Sequence, residues 1–219
     1  MCVQTKMEKS MKNTVQNAVK RTLTLSLLLL TMAVPSSLYS AAAEAAKTKT
    51  QQDIINTFVL NASKGKLKKM SKHLDNQLIV NGTNADGFTA LQKAAQKGQL
   101  SVVKALIKHG ANVNQQTVHG KSTALLLACL NNNPTIAAYL IKHGADVNLE
   151  SSIGLTPLQA AALKCNFANV RMLIAQKETA VDATNNHGYT ALDLAQQHKC
   201  PKGIIKMLEK PVDKAADVR

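Results

Sequence analysis

Six histidines and four cysteines are the side chains of this 219-residue chain best suited to ligating a metal or attacking a substrate. A zinc site needs three or four such ligands in one coordination sphere, which sequence announces as His at i and i+4 or as Cys-x-x-Cys pairs. Neither spacing occurs. His73, His109, His119, His143, His187 and His198 are dispersed, as are Cys2, Cys129, Cys165 and Cys200. His109 and His143 each end the same phrase, Leu-Ile-Lys-His, where a cation complements the negative end of a helix. The reading is therefore no catalysis, no metal and no cofactor.

The N-terminus reads as an export signal. Lys6, Lys9, Lys12, Lys20 and Arg21 precede an apolar run from Leu23 to Val34, which Pro35 stops. Ser40 to Ala43 then offers a small-residue cleavage site, after Ala41 or Ala43. Twelve apolar-weighted residues fall short of the roughly 20 that span a bilayer, so a signal peptide over 1–43 is expected, with an uncleaved anchor as the alternative. Met7 or Met11 could be the true start. Residues 44–50 read as a linker. Cleavage would leave Cys129, Cys165 and Cys200, an odd number that excludes a pure disulfide scaffold.

Charge and composition narrow the partners. The chain carries 27 basic and 13 acidic residues, and 22 against 12 remain after residue 43, about +10. Such an excess attracts nucleic acid, anionic lipid or acidic proteins. Aromatics are 3% with no Trp, so stacking platforms for nucleic acid are scarce. An apolar fraction of 45% supplied mostly by Ala, Leu, Val and Ile favours packed helices.

One phrase recurs four times: GFTALQKAA from Gly87, GKSTALLLAC from Gly120, GLTPLQAAA from Gly154 and GYTALDLAQ from Gly188. Its Thr falls at 89, 123, 156 and 190, and its Leu at 91, 125, 158 and 192. LIKHGANVN from Leu106 returns as LIKHGADVN from Leu140, with a decayed copy, LIAQKETAVD, from Leu173. Each period predicts two short helices and a turn. Thr89 caps the first helix, whose inner face is Leu91, Ala94 and Ala95, and Gly98 ends it. Val102, Val103, Leu106 and Ile107 line the second, which Gly110 stops. Ala94, Ala128, Ala161 and Ala195 allow close stacking.

These residues resemble the ankyrin repeat. The T-P-L-H-x-A-A phrase of that family is nearly complete at Thr156, Pro157, Leu158, Gln159, Ala160, Ala161 and Ala162, and its G-A-D-V-N turn is complete at Gly144–Asn148. The likeness is strong from Asn84 to Lys210. Ala62, Gly65, Val80 and Asn81 extend it back by one period. The resemblance implies an all-α ankyrin solenoid of five repeats: a divergent N-terminal cap over 51–83, repeats over 84–116, 117–150 and 151–183, a C-terminal cap over 184–210, and a tail over 211–219. The His of the family phrase is replaced by Gln92, Leu126, Gln159 and Asp193, so its turn network is expected to be weaker or replaced. One extra residue falls between Gly120 and Thr123, and Gln176–Thr179 stands in place of a glycine turn. Cys165 and Cys200 fall in adjacent repeats, one position out of register. Stacked helices lie about 10 Å apart and a disulfide needs Cα atoms within about 7 Å, so two buried or half-buried thiols are favoured, with a bridge left open.

In the ankyrin family, hairpin tips and first helices line a concave face that binds proteins. The resemblance therefore points to Phe88, Gln96, Lys97, Val118, His119, Lys121, Leu130, Ile153, Leu155, Leu163, Tyr189 and His198. Seven of these are apolar at positions expected to face solvent, a pattern that marks an interface. Burying three or four at about 1.5–3 kcal/mol each could support micromolar binding, about 8 kcal/mol. Lys64, Lys66, Lys68, Lys69 and Lys72 form the densest basic run, which could meet an anionic surface or simply be solvated. Asn61-Ala62-Ser63 and Asn81-Gly82-Thr83 match glycosylation acceptors.

The sequence reading is an exported, periplasmic, monomeric ankyrin module that binds a protein of unknown identity and no nucleic acid. The alternatives are a secreted or membrane-anchored effector that binds a host or competitor protein, and an envelope-associated protein held on anionic lipid in peripheral membrane contact.

Overall fold

The computed structural model describes residues 51–209; the expected signal segment, linker and tail lie outside the described residues. Helix α1 covers residues 51–63. It is followed by α2 (Leu67–Met70), a 3-10 turn (Ser71–His73) and α3 (Gln77–Val80). Four helix pairs come next: α4 (Ala90–Gln96) with α5 (Leu100–Lys108), α6 (Ala124–Leu130) with α7 (Pro134–Lys142), α8 (Pro157–Leu163) with α9 (Phe167–Ile174), and α10 (Ala191–Gln197) with α11 (Lys202–Glu209). The described chain is all-α, with no strand and a single isolated bridge between Thr83 and Thr89. No described helix is long and apolar enough to cross a membrane.

Each first helix starts where the repeated Thr predicts. Thr89, Thr123, Thr156 and Thr190 are extended, and each hydroxyl accepts the amide three residues on. Gln92, Gln159 and Asp193 return a bond to the cap amide and complete capping boxes. The family's histidine network is thus replaced. Gln92 Nε2 also donates to the carbonyl of Gln115 at 2.7 Å, and Gln159 Nε2 to those of Ala183 at 2.7 Å and Tyr189 at 3.1 Å. Leu126, with no polar atom, leaves its box half made.

Leu91, Leu125 and Leu158 are sealed in the core, and Ala94, Ala128, Ala161 and Ala195 are 0% exposed at the contacts between repeats. With methyl groups at these points, first helices pack on one another more extensively than second helices do. The exposed side of the first helices, together with the hairpin tips, is here called the inner face.

A ladder of asparagines ties the turns together. Asn81, Asn114 and Asn148 each accept the amide of a residue one repeat later, Asn112, Asp146 and Ala180, at 2.7–2.9 Å. Each amide group also donates to a carbonyl of that turn, Gly110, Gly144 or Glu178. The Val-Asn pair is thus a cross-repeat strap, and Asn81 makes the divergent first repeat part of it. Where repeat four lacks the glycine turn, the Thr179 hydroxyl donates to Leu173 O at 2.6 Å. Ala111 and Ala145 amides do that service for Leu106 and Leu140.

One preference is corrected. Cys165 and Cys200 form a disulfide, with Cα atoms 5.1 Å apart. The separation of helix axes is the wrong ruler for this pair. Cys165 sits in the turn between α8 and α9 at φ +50°, beside the start of the second helix of the next repeat. One repeat earlier Asn132, at φ +56°, occupies that turn position, and its side-chain oxygen accepts a bond from the Asn166 amide group. Earlier still, a Cβ on Gly98 would come within 3.0 Å of Asn133 Oδ1. The out-of-register offset is the geometry of contact. Cys129 is a free thiol, wholly buried in α6.

Candidate protein-binding face

Four hairpins connect the pairs and set the rim of the inner face. Asn84, Ser151 and Asn185 amides donate to the carbonyls four residues on, Phe88, Leu155 and Tyr189, at 2.9–3.0 Å. Thr117 instead donates to Ser122, five residues on, so the extra residue lies within the tip spanning 118–121. Gly87, Gly154 and Gly188 take left-handed backbone in their tips, and Lys121 takes it in the second at φ +48°. Glycine adopts that region freely, while a lysine there costs about 1 kcal/mol.

Backbone hydrogen bonds then join tip to tip. Val118 N–H donates to Gly87 O, Ser152 N–H to Gly120 O and Asn186 N–H to Ile153 O, at 2.9–3.2 Å. Their approach is close enough that a Cβ on Gly154 would meet the Asn186 backbone nitrogen at 2.8 Å. The rim is thus continuous, and three successive tips carry exposed apolar side chains: Val118 at 61%, Ile153 at 52% and Tyr189 at 43%.

The structure separates the other expected residues. Leu155 is corrected: it is 7% exposed and belongs to the core, whereas Tyr189, at the matching place before the capping Thr of the last hairpin, is exposed. Leu130 and Leu163 are half-buried and pack against the core from the inner face. Phe88 is half-buried beneath Lys93, whose Nζ lies 3.6 Å from the ring centroid, a cation-π contact that the sequence reading did not name. Lys93 also donates to Gln96, itself half-buried, at 3.4 Å. Lys97, His119, Lys121 and His198 are exposed, as are Lys64, Lys66, Lys68, Lys69 and Lys72 on the first repeat.

Two titrating groups are displaced from their ordinary behaviour. The side-chain and backbone hydrogen bonds from Thr190 hold the Asp193 carboxyl below its usual range. Burial pushes the Cys129 thiol up to about 12, which removes it from thiolate chemistry. Among the described residues no group of three or more His, Cys, Asp or Glu could hold a metal ion.

Comparison with known proteins agrees with this architecture. The family model for ankyrin repeats, in three copies, matches residues 42–151, half of the chain. The chain belongs to the ankyrin-repeat family. It is 30% identical over 135 residues to the provisionally named ankyrin repeat protein YahD of Escherichia coli K12, covering 62% of this chain and 67% of that one. It is also 35% identical over 68 residues to ankyrin repeat family A protein 2 of mouse and of human, across 31% of this chain. It spans about a fifth of the length of those mammalian proteins. Ankyrin repeats generally serve as protein–protein interaction modules.

Proposed function

We propose that this chain is an exported, monomeric protein-binding module that acts through its hairpin tips and inner face without chemistry of its own. The observation that carries the reading is the apolar rim of Val118, Ile153 and Tyr189, held in fixed register by tip-to-tip hydrogen bonds. Rigid anchors lose little conformational entropy on binding, and single apolar anchors near the centre of a patch dominate affinity.

Export is supported by two independent features. The first is the basic, then apolar, then small-residue order of the N-terminus. The second is the Cys165–Cys200 disulfide, because such bonds persist in oxidising compartments such as the periplasm.

Affinity capture from the native envelope fraction tests the reading. The unmodified chain is expected to retain one stoichiometric protein that a folded Val118→Asp, Ile153→Asp, Tyr189→Asp variant loses. Equal recovery by both would overturn it.

A second reading rests on the five exposed lysines from Lys64 to Lys72, a stretch with no acidic residue from 54 to 74. It is attachment to an anionic envelope surface. Its mark would be retention on anionic vesicles that falls steeply with salt and survives the tip substitutions.

A further inference from the structure

We propose that the inner face takes an acidic, extended protein segment whose aliphatic side chains seat on the apolar rim and whose carboxylates meet lysines along the first helices. This rests on the protein-binding reading and names the chemistry of the partner.

Charge complementarity carries it. Lys97 and Lys164 end α4 and α8 at matching positions, and Lys121 stands in the second tip; all three are exposed. Lys93 lies over Phe88 on α4, and Lys199 is exposed in the turn that follows α10. The acidic residues of the tips and first helices are two. Asp86 accepts a bond from Asn84, and Asp193 is bound to Thr190 as a helix cap. Among the described residues, none of Lys97, Lys121, Lys164 and Lys199 has a carboxylate within 4.0 Å. The face therefore presents unneutralised positive charge at the C-terminal ends of its first helices and, through Lys121, within the tips that carry Val118, Ile153 and Tyr189.

Lys121 sharpens the point. The other three tips place glycine at this left-handed position. A lysine there carries a backbone cost of about 1 kcal/mol, and its side chain stands exposed in the same tip as Val118.

The side chains select among anionic partners. Single-stranded nucleic acid needs aromatic platforms, and this rim supplies Tyr189 with Phe88 already covered by Lys93. An extended peptide can follow both the tips and the groove, with alternate side chains turned to each.

Selection from a phage library of random 12-residue peptides on the purified full chain tests this, with follow-up of synthetic peptides by fluorescence anisotropy. Enriched peptides are expected to combine Asp or Glu with Leu, Ile or Val. Their affinity should fall about tenfold or more in Lys97→Glu, Lys121→Glu, Lys164→Glu, and also between 50 and 300 mM salt. A control with Lys68→Glu, Lys69→Glu, Lys72→Glu should bind as the unmodified chain does. Circular dichroism and melting temperature establish that every variant is folded. Peptides without acidic excess, or acidic peptides indifferent to the inner-face reversal, would overturn the inference. The protein-binding reading would survive that result if binding were still lost in Val118→Asp, Ile153→Asp, Tyr189→Asp. No enrichment over a blank surface would overturn both.

Discussion

The disulfide between Cys165 and Cys200 occupies the same place between repeats four and five as the Asn132–Asn166 hydrogen bond does between repeats three and four. In both, a left-handed turn residue touches a residue just before the next repeat's second helix. The last contact is covalent where the preceding one is polar, so the C-terminal cap is tied to its neighbour.

That cross-link closes a loop of 35 residues. Reduction should therefore lower stability by about 2–4 kcal/mol. Urea unfolding with and without a phosphine reductant checks it, with mass spectrometry to count thiols. An unchanged midpoint after complete reduction would contradict the structural role.

Asn169 is 0% exposed on α9, and neither polar atom of its side chain has a partner. The matching position on α7 is Ile136, also buried. An unsatisfied buried amide costs about 1–3 kcal/mol, so Asn169→Val should raise stability by about that amount. Thermal and urea melts would show it, and a lower midpoint would place an unseen partner at this site.

Two glycines with nearly equal angles should respond unequally. Gly154 (φ +71°) faces Asn186 backbone within 2.8 Å of a new Cβ, whereas Gly188 (φ +78°) has nothing within 4 Å. Gly188→Ala should cost about 1 kcal/mol from backbone alone. Gly154→Ala should cost more, because the tip-to-tip bond must shift. Equal losses in paired melts would argue against the continuous rim.

Asp193 links stability to acid. Its carboxyl is held below the ordinary value of 3.8 by hydrogen bonds from Thr190 that favour the ionised form. A depressed folded-state pKa gives stabilisation that is complete above the unfolded pKa and lost as pH falls through the folded one. Unfolding followed from pH 6 to pH 2 should therefore show a steeper loss below about pH 4 in the unmodified chain than in Asp193→Asn, which retains a cap acceptor without a titrating proton. Superimposed profiles would remove Asp193 from the linkage.

Cys129 should be inert while the chain is folded. With its pKa near 12 and its side chain sealed, iodoacetamide at pH 8 should label it only after denaturation. Mass spectrometry of native and unfolded samples gives the readout.

The repeated Thr, Leu and Ala residues made the helix pairs legible, because capping and inner-face spacing are local and recur with fixed period. The Val-Asn pair at Val80 and Asn81 makes the same cross-repeat bonds as the later Val-Asn pairs, although the pattern did not show that the asparagine straps two repeats together. The cysteine bridge was obscured because helix spacing misrepresents a turn-to-cap contact. Leu155 was misplaced because its position in the phrase does not set its burial: Tyr189 holds the same place before the capping Thr and is exposed, while Leu155 is packed into the core. The half-buried state of Phe88 depends on Lys93, a helix residue whose approach to the hairpin is tertiary.

The most direct test places a photoreactive amino acid at Ile153 in the full chain, inside living cells, and compares it with the same group at Lys142, exposed at the end of α7. Irradiation is expected to give one discrete adduct with another protein from position 153 and none of that mass from position 142. Absence of an adduct at 153, or the same adduct from both positions, would contradict binding through the hairpin rim.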